Sequence, residues 1–503
     1  MNYEKTAREK IDNGLFEEAV QIMNRAIELH PRKAEYYYVR GDAKHCLGEY
    51  EDAILDYDKA IELDKNESRF YHMRGRSKYI LERYKEAEAD ETKAILYDPK
   101  DVVSYLVRGD IRRDMEQYSE ASADYNKAIE VDPLDVRGYA FLASLKQELE
   151  LYEDALNLYE QALRINPKDD RVYADMGDTY MELREYKKAI ECYGKAIEFD
   201  PMWLGYYVKR GNAKEKAGKF KGALSDYNKI IKIAPTIDMG YVYKGDVLQD
   251  LGRYEDAIKT YEKVINLGCD FDGLYNAMGT AYYNLGKYDE ALKAYEKAVE
   301  LNPLFPRGHY NCARIHFKFK NDKEALSSIE RAIFIDDTEP EYFLMRGRLN
   351  LTLNDFPGAE EDFTKVLSYC VDSEAYCLRA KARNNLGRHE EAIADCNFGL
   401  KIDSEDPYLY MVRGDAEDEL ERYSDAIRDY NKAIGLDPEI ATAYNLRGIT
   451  KGKIGELKNA CYDFKKALAL SPEYESAKNN LERIYKKLSK EEKAEINNCG
   501  TMN

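Results

Sequence analysis

The chain has a single tryptophan, Trp203, in 503 residues, and its nine cysteines never fall in CxxC pairs. They stand at 46, 192, 269, 312, 370, 377, 396, 461 and 499. Scattered thiols argue against a disulfide framework or a zinc site and suit a reducing compartment. No run approaches the roughly 20 apolar residues that a bilayer-spanning helix needs. The start, Met1 through Lys10, is polar and lacks the apolar core of a secretory signal. Excess positive charge is missing too, with 76 basic against 95 acidic residues and a net charge of −19. General binding to nucleic acid or to an anionic membrane draws on dense Lys and Arg, so neither is expected. The chain shows no phosphate-cradling glycine loop, no HExxH and no GxSxG elbow. The expectation is a soluble cytoplasmic protein, not an enzyme, with no catalytic residue, no cofactor and no metal.

What the chain does have is repetition. An alanine recurs at 19, 53, 87, 121, 155, 189, 223, 257, 291, 325, 359, 392, 426 and 460, every step being 34 residues except the 33 from 359 to 392. Twelve residues before each stands Gly or Ala: Ala7, Gly41, Gly75, Gly109, Ala143, Gly177, Gly211, Gly245, Gly279, Ala313, Gly347, Ala380, Gly414 and Gly448. Small residues at matching points of two helices let their backbones approach. A fixed period of this length is the mark of a repeat architecture, and fourteen units fit. In the second, Glu35 to Leu47 and Tyr50 to Leu63 read as two helices, with Gly48 as the left-handed turn residue between them. Prolines such as Pro31, Pro99, Pro133 and Pro472 punctuate the repeat ends. Tyrosine is in excess, 44 against 15 Phe.

These residues closely resemble the tetratricopeptide (TPR) family across nearly the whole chain. In that family's numbering the Gly/Ala series is position 8 and the Ala series position 20. Position 4, commonly Trp in the family, is Tyr in twelve repeats, and position 11, usually aromatic, departs to Lys44, Lys78, Arg112 and Lys214. The resemblance implies an all-α fold: a right-handed superhelical solenoid of about fourteen two-helix repeats, with a concave groove lined by first helices. The expected layout is a continuous array over 1–472, a capping helix over 473–488 and a disordered tail over 489–503. The irregular junctions at Cys269 and Asp270, and at Cys370 to Asp372, are candidate bends.

Eight repeats carry Arg at position 7, namely Arg40, Arg74, Arg108, Arg210, Arg346, Arg379, Arg413 and Arg447. The same eight carry Asp at position 23: Asp56, Asp90, Asp124, Asp226, Asp362, Asp395, Asp429 and Asp463. Repeats without the Arg have mostly neutral pairs, such as Leu142 with Leu158 and Met278 with Ala294. A half-buried Arg needs a hydrogen-bonded counter-charge and an apolar pair does not, so the pattern predicts a bridge between the two helices of one repeat. It also places the three Arg-Gly-Asp triplets (40–42, 108–110, 413–415) within helices rather than on adhesive loops. His309, Cys312 and His316 share a helix face at positions 4, 7 and 11, which are packing positions, so they are assigned to the core rather than to a metal.

The resemblance puts positions 2, 5, 9, 12 and 13 on the groove. Position 9 is basic in three successive repeats, Arg314, Arg348 and Lys381, and repeat 10 adds Arg307, Tyr310, Phe317 and Lys318. This cationic, aromatic patch suits an acidic or carboxylate-terminated peptide. The alternative is that Glu341 and Glu374, at position 2 of neighbouring repeats, neutralise it. Chaperone-binding relatives use Lys at position 5, where this chain has Glu4, Tyr38, His72, Leu106 and Ala140, so a clamp for heat-shock chaperone tails is expected to be absent. Acidic stretches around Asp246 and Asp250, and around Asp415, Asp418 and Glu419, could take basic segments instead. The expected function is a scaffold or adaptor binding a protein segment in the groove. The alternatives are a self-associating assembly factor and a regulatory subunit of an enzyme complex.

Overall fold

A computed structural model describes residues 3–489 and 491–493; the expected tail, 489–503, falls almost wholly outside them. Twenty-nine helices follow one another, with no strand among the described residues. None of these helices is long and apolar enough to cross a membrane. The chain divides into two compact units, Met1–Leu251 and Gly252–Asn503. Within each unit, consecutive helices pack as antiparallel pairs and pair stacks on pair. First helices also touch the first helix of the next repeat, as Ser68–Ile80 touches Val102–Asp114 and Pro407–Glu419 touches Ala441–Lys453. Second helices make no comparable contact among the described residues, so first helices occupy the inner side of each stack. After the last pair, the helix Glu475–Lys487 lays Ala477, Ile484 and the following Leu488 on Tyr444, Cys461 and Phe464. Its remaining face is lysine, glutamate and asparagine, as the end of a stack requires.

The recurrent residues make the pair. All fourteen position-20 alanines are wholly buried. At position 8 the limiting neighbour is the aromatic ring at position 24: a Cβ on Gly109 would lie 2.4 Å from Tyr125, and one on Gly347 2.7 Å from Phe363. Where position 24 shrinks to Met23, Ile329 or Cys396, position 8 becomes alanine (Ala7, Ala313, Ala380), and repeat 5 alone sets an alanine, Ala143, against a tyrosine, Tyr159. Between the two helices, position 15 is left-handed in every repeat. Seven repeats use glycine there, for example Gly48 at φ +82°, and seven use another residue, for example Glu116 at φ +60°. The deleted residue near Cys370 comes out of the linker: three residues separate Phe356–Tyr369 from Ser373–Asn385, against four between Tyr50–Leu63 and Ser68–Ile80.

Each of the eight predicted bridges forms within its own repeat, the Arg Nε and Nη2 donating to the two carboxylate oxygens. Arg108 reaches Asp124 at 3.0 and 2.6 Å, and Arg447 reaches Asp463 at 3.0 and 2.6 Å. Three further contacts surround the pair. The Arg lies over the position-4 ring of its own helix, as Arg40 over Tyr37 at 5.6 Å and Arg413 over Tyr410 at 5.3 Å. Its Nη1 reaches the previous repeat's second helix, as Arg447 donates to Asn431 and Arg413 to Asn397, both at 2.6 Å. In seven of the eight repeats the Asp takes a second donor from position 11, as Arg112 on Asp124 at 2.9 Å, Lys214 on Asp226 at 2.7 Å and Asn350 on Asp362 at 3.0 Å; repeat 13 has Glu417 there instead. The departure at position 11 therefore completes the charge network. Position-4 tyrosine has its own reason, since its hydroxyl donates to the carbonyl six residues earlier, as Tyr37 to Pro31 and Tyr207 to Pro201, a bond Phe cannot make. At that position His309 directs a ring nitrogen to Pro303 O at 3.1 Å.

Removing one such Asp leaves two cations facing a half-buried gap. Asp124→Ala is expected to cost about 3–5 kcal/mol. Changing the set together, as Arg108→Met, Arg112→Tyr and Asp124→Ala, reproduces the Met278, Tyr282 and Ala294 of repeat 9 and should recover most of that loss in thermal unfolding. A triple variant no more stable than the single one would remove the ion pair as the cause.

Candidate functional site

The chemistry of the inner face is set at position 9, and position 9 is tied to position 24. In six repeats the tyrosine hydroxyl at 24 lies within hydrogen-bond distance of the residue at 9: Tyr57 of Asp42 at 3.0 Å, Tyr125 of Asp110 at 2.8 Å, Tyr193 of Asp178 at 2.7 Å, Tyr227 of Asn212 at 2.8 Å, Tyr295 of Thr280 at 3.3 Å and Tyr430 of Asp415 at 2.8 Å; in repeat 5 Tyr159 turns to Gln147 at 3.4 Å instead. Where position 24 has no hydroxyl, position 9 ceases to be an acceptor. Met23, Glu91, Ile329, Phe363, Cys396 and Phe464 go with Arg8, Arg76, Arg314, Arg348, Lys381 and Ile449. The basic run of repeats 10 to 12 thus stands where the internal hydroxyl is missing. The Arg-Gly-Asp triplets are spent internally at both ends, the Arg on position 23 and the Asp on the tyrosine.

All seven candidate residues lie in the second unit. Arg314 has its guanidinium 4.7 Å from the ring of Tyr283 and 5.7 Å from that of Tyr310. Its polar contact is a 3.4 Å bond to Asn311, and no carboxylate among the described residues lies within ion-pair distance. Tyr310 packs on Tyr342 with centroids 5.1 Å apart and the rings tilted by 39°, and it carries Arg307 at 5.3 Å. Lys318 sits over Tyr288 at 4.5 Å. Phe317 is half-buried and packs on the cluster of Ala313, Ile329, Tyr342 and Leu349. The two acidic neighbours are engaged: Arg307 pairs with Glu341 at 3.0 Å and Arg348 with Glu374. Lys381 is exposed and makes no ion pair among the described residues. Two of the five cations of the patch are therefore neutralised, with Arg314, Lys318 and Lys381 left over among the described residues.

Beyond Lys381 the inner face opens into a cleft of about 720 Å³ across three first helices, Ser373–Asn385, Pro407–Glu419 and Ala441–Lys453. Cys377, Leu378, Met411, Val412 and Leu446 supply apolar wall, and the half-exposed Tyr408 stands at its edge. Of the acidic stretch there, Asp418 is buried and accepts from Thr450 at 2.7 Å and Lys453 at 2.5 Å, Asp415 is half-buried on Tyr430, and Glu419 is exposed. Cys312 is buried in the core, as its position predicts, while the Nδ1 of His316 is buried without a hydrogen-bond partner. In repeat 3, Glu91 replaces the tyrosine. Its Oε2 lies 3.0 Å from His72 Nδ1 and its Oε1 is unpartnered, and burial pushes its carboxyl up.

Family models described as tetratricopeptide repeat match residues 5–68, 106–170 and 411–475, 147–207, and 204–237 and 373–406; one described as TPR repeat matches 245–286 and 279–318. No curated protein matches. Among solved structures, the APC/C hetero-tetramer Cut9–Hcn1 aligns at 16% identity over 95% of both chains with a TM-score of 0.45. YrrB, described as a TPR protein with an unusual peptide-binding site, aligns at 18% identity over 39% of this chain and 100% of its own, with a TM-score of 0.32. A tetratricopeptide repeat protein from Parabacteroides merdae aligns at 19% identity over 50% of this chain and 98% of its own, with a TM-score of 0.37.

Burial pushes the carboxyls of Asp42 and Asp415 up to about 6. Around Asp415, Asp418 and Glu419 push the same way, while the Tyr430 hydroxyl and Lys381 oppose. An acid whose folded pKa lies above its unfolded value near 4 binds protons more tightly when folded, so its contribution is present at low pH and falls as pH rises toward 6. An amide at position 415 keeps an acceptor oxygen for the Tyr430 hydroxyl without the charge. Asp415→Asn is therefore expected to stabilise by about 1–2 kcal/mol at pH 7.5, and by little near pH 3.5. Melting curves at the two pH values check this, and equal shifts at both would exclude ionisation as the source.

Proposed function

From the chain's membership of the tetratricopeptide-repeat family, we propose that it is a non-catalytic scaffold or adaptor whose first-helix face holds a segment of another protein, with acidic groups of that segment on repeats 10 to 12. The observation that carries this is Arg314. Its guanidinium is held between two tyrosine rings, and most of its five donors lack a partner among the described residues. Planar guanidinium donors match carboxylates in a two-bond geometry that a solvated lysine does not pre-organise. Tyr283 and Tyr310 fix the group without neutralising it, and Arg348 and Lys381 continue the positive line. In a protein of net charge −19, such a line is the natural landing place for an acidic segment. The buried, unpaired thiols of Cys312, Cys377 and Cys396 fit work in the cytoplasm.

The test is affinity capture by the full chain from lysate of its native organism, comparing wild type with Arg314→Glu/Arg348→Glu. Capture of a partner should drop at least about tenfold, the size of one lost charge-assisted hydrogen bond, while circular dichroism and melting stay unchanged. A partner retained equally by the variant would move the site elsewhere on the protein.

A further inference from the structure

We propose that the cleft across Ser373–Asn385, Pro407–Glu419 and Ala441–Lys453 seats a large apolar side chain of the docked segment, with a carboxylate next to it taken by Lys381. This rests on the scaffold reading above and names the partner's chemistry: an extended acidic segment carrying an apolar anchor. At about 720 Å³ the cleft is within the range of pockets that bury small ligands or side chains. Its floor is apolar, from Cys377, Leu378, Met411 and Leu446.

The rim decides the charge. Glu374 pairs with Arg348, Asp406 Oδ1 accepts from the backbone N–H of Tyr408 at 2.8 Å, and Asp415 accepts from Tyr430 at 2.8 Å. The amides are engaged as well, Asn384 donating to Val412 O and Asn385 to Lys381 O, both at 2.8–2.9 Å. Asp406 and Asp415 are thus hydrogen-bonded but not ion-paired, while Lys381 is the one lining cation and has no ion pair among the described residues. It is also the last rung of the basic line, so one extended segment crossing repeats 10 to 14 meets cations first and the apolar recess next. Apolar anchors in desolvated pockets carry most of the binding energy at such interfaces, and rim charges mainly steer and select.

A random twelve-residue peptide library panned on the full chain tests this, followed by fluorescence anisotropy of the enriched peptides. Enriched peptides should place Asp or Glu beside Leu, Ile, Met or Phe. Their affinity should fall at least tenfold on Lys381→Glu, on Thr442→Trp, which fills the cleft from an exposed wall position, and on replacing the peptide's apolar residue with Ser. Tyr408→Ser, on the opposite wall, serves if Thr442→Trp alters the circular dichroism spectrum. Peptides without this pairing, or peptides that bind both cleft variants like wild type, overturn the proposal. If binding is lost in Arg314→Glu/Arg348→Glu but kept in the cleft variants, the scaffold reading stands and the cleft does not. A concentration-dependent dimer in light scattering that Thr442→Trp abolishes would assign the cleft to a second copy of this chain and overturn the proposal too.

Discussion

The structure depends on the position-24 ring lying directly on the backbone of the facing helix at position 8. A contact in which a Cβ would fall 2.4–2.8 Å from ring carbons, as at Gly109 and Gly414, fixes both the distance and the rotation of the two helices of a pair. Once that rotation is set, the residue before the ring aims at positions 7 and 11 of the first helix, and the ring's hydroxyl aims at position 9. The tyrosine–acceptor bond is a consequence of this steric fit, and the Arg–Asp bridge accompanies it but also forms without a ring in repeats 3 and 12. Such packing tolerates little change in volume, and loss of the ring goes with a larger residue opposite in Ile329 with Ala313 and Cys396 with Ala380, although Ala143 is accommodated against Tyr159.

The arginine then carries the fit from one pair to the next. With Nε and Nη2 on its own Asp, Nη1 is left pointing at the preceding second helix, where Asn24, Thr92, Asn397 and Asn431 accept it. Its face rests on the position-4 ring, whose hydroxyl in turn holds the carbonyl at the preceding repeat's end. One side chain thereby joins three helices. In a stack whose stability is a sum of repeat and neighbour terms, this is a neighbour term written in charge rather than in apolar area. It accounts for an array with so many tyrosines and so few phenylalanines.

Much of this was legible in the sequence, because the period was read before any single motif. The helix pairs, the left-handed turn at Gly48 and the eight Arg–Asp bridges all follow from aligning the columns. The position-11 donors were visible as departures, but their reason needed the geometry: Arg112 reaches Asp124 twelve residues on, across a turn whose angle the sequence does not state. The exchange between positions 9 and 24 was present in the columns as well. It can be found only by asking of each tyrosine which residue its hydroxyl would meet, fifteen residues earlier. The cleft was out of reach, because Leu378, Val412 and Thr442 converge through the stacking of three repeats.

That exchange also explains how a basic stretch of inner face arises in a regular array. While position 24 is tyrosine, the inner face at position 9 must offer an acceptor, and half-buried carboxyls such as Asp42 and Asp415 are spent on the fold. Losing the hydroxyl removes the requirement, and the same backbone site becomes free to carry a cation outward. In repeats 10 to 12 this happens three times in succession, through Ile329, Phe363 and Cys396. Core substitutions on second helices thus change the charge of the opposite face without disturbing the bridges, since Arg346–Asp362 and Arg379–Asp395 persist in two of those three repeats. Where the third, repeat 10, lacks the bridge, Arg314 lies instead between Tyr283 and Tyr310. Arg76 of repeat 3 also has no carboxylate partner among the described residues, yet there the bridge of Arg74 with Asp90 persists, so what sets Arg314 apart is the pair of tyrosine rings that takes the place of an ion pair.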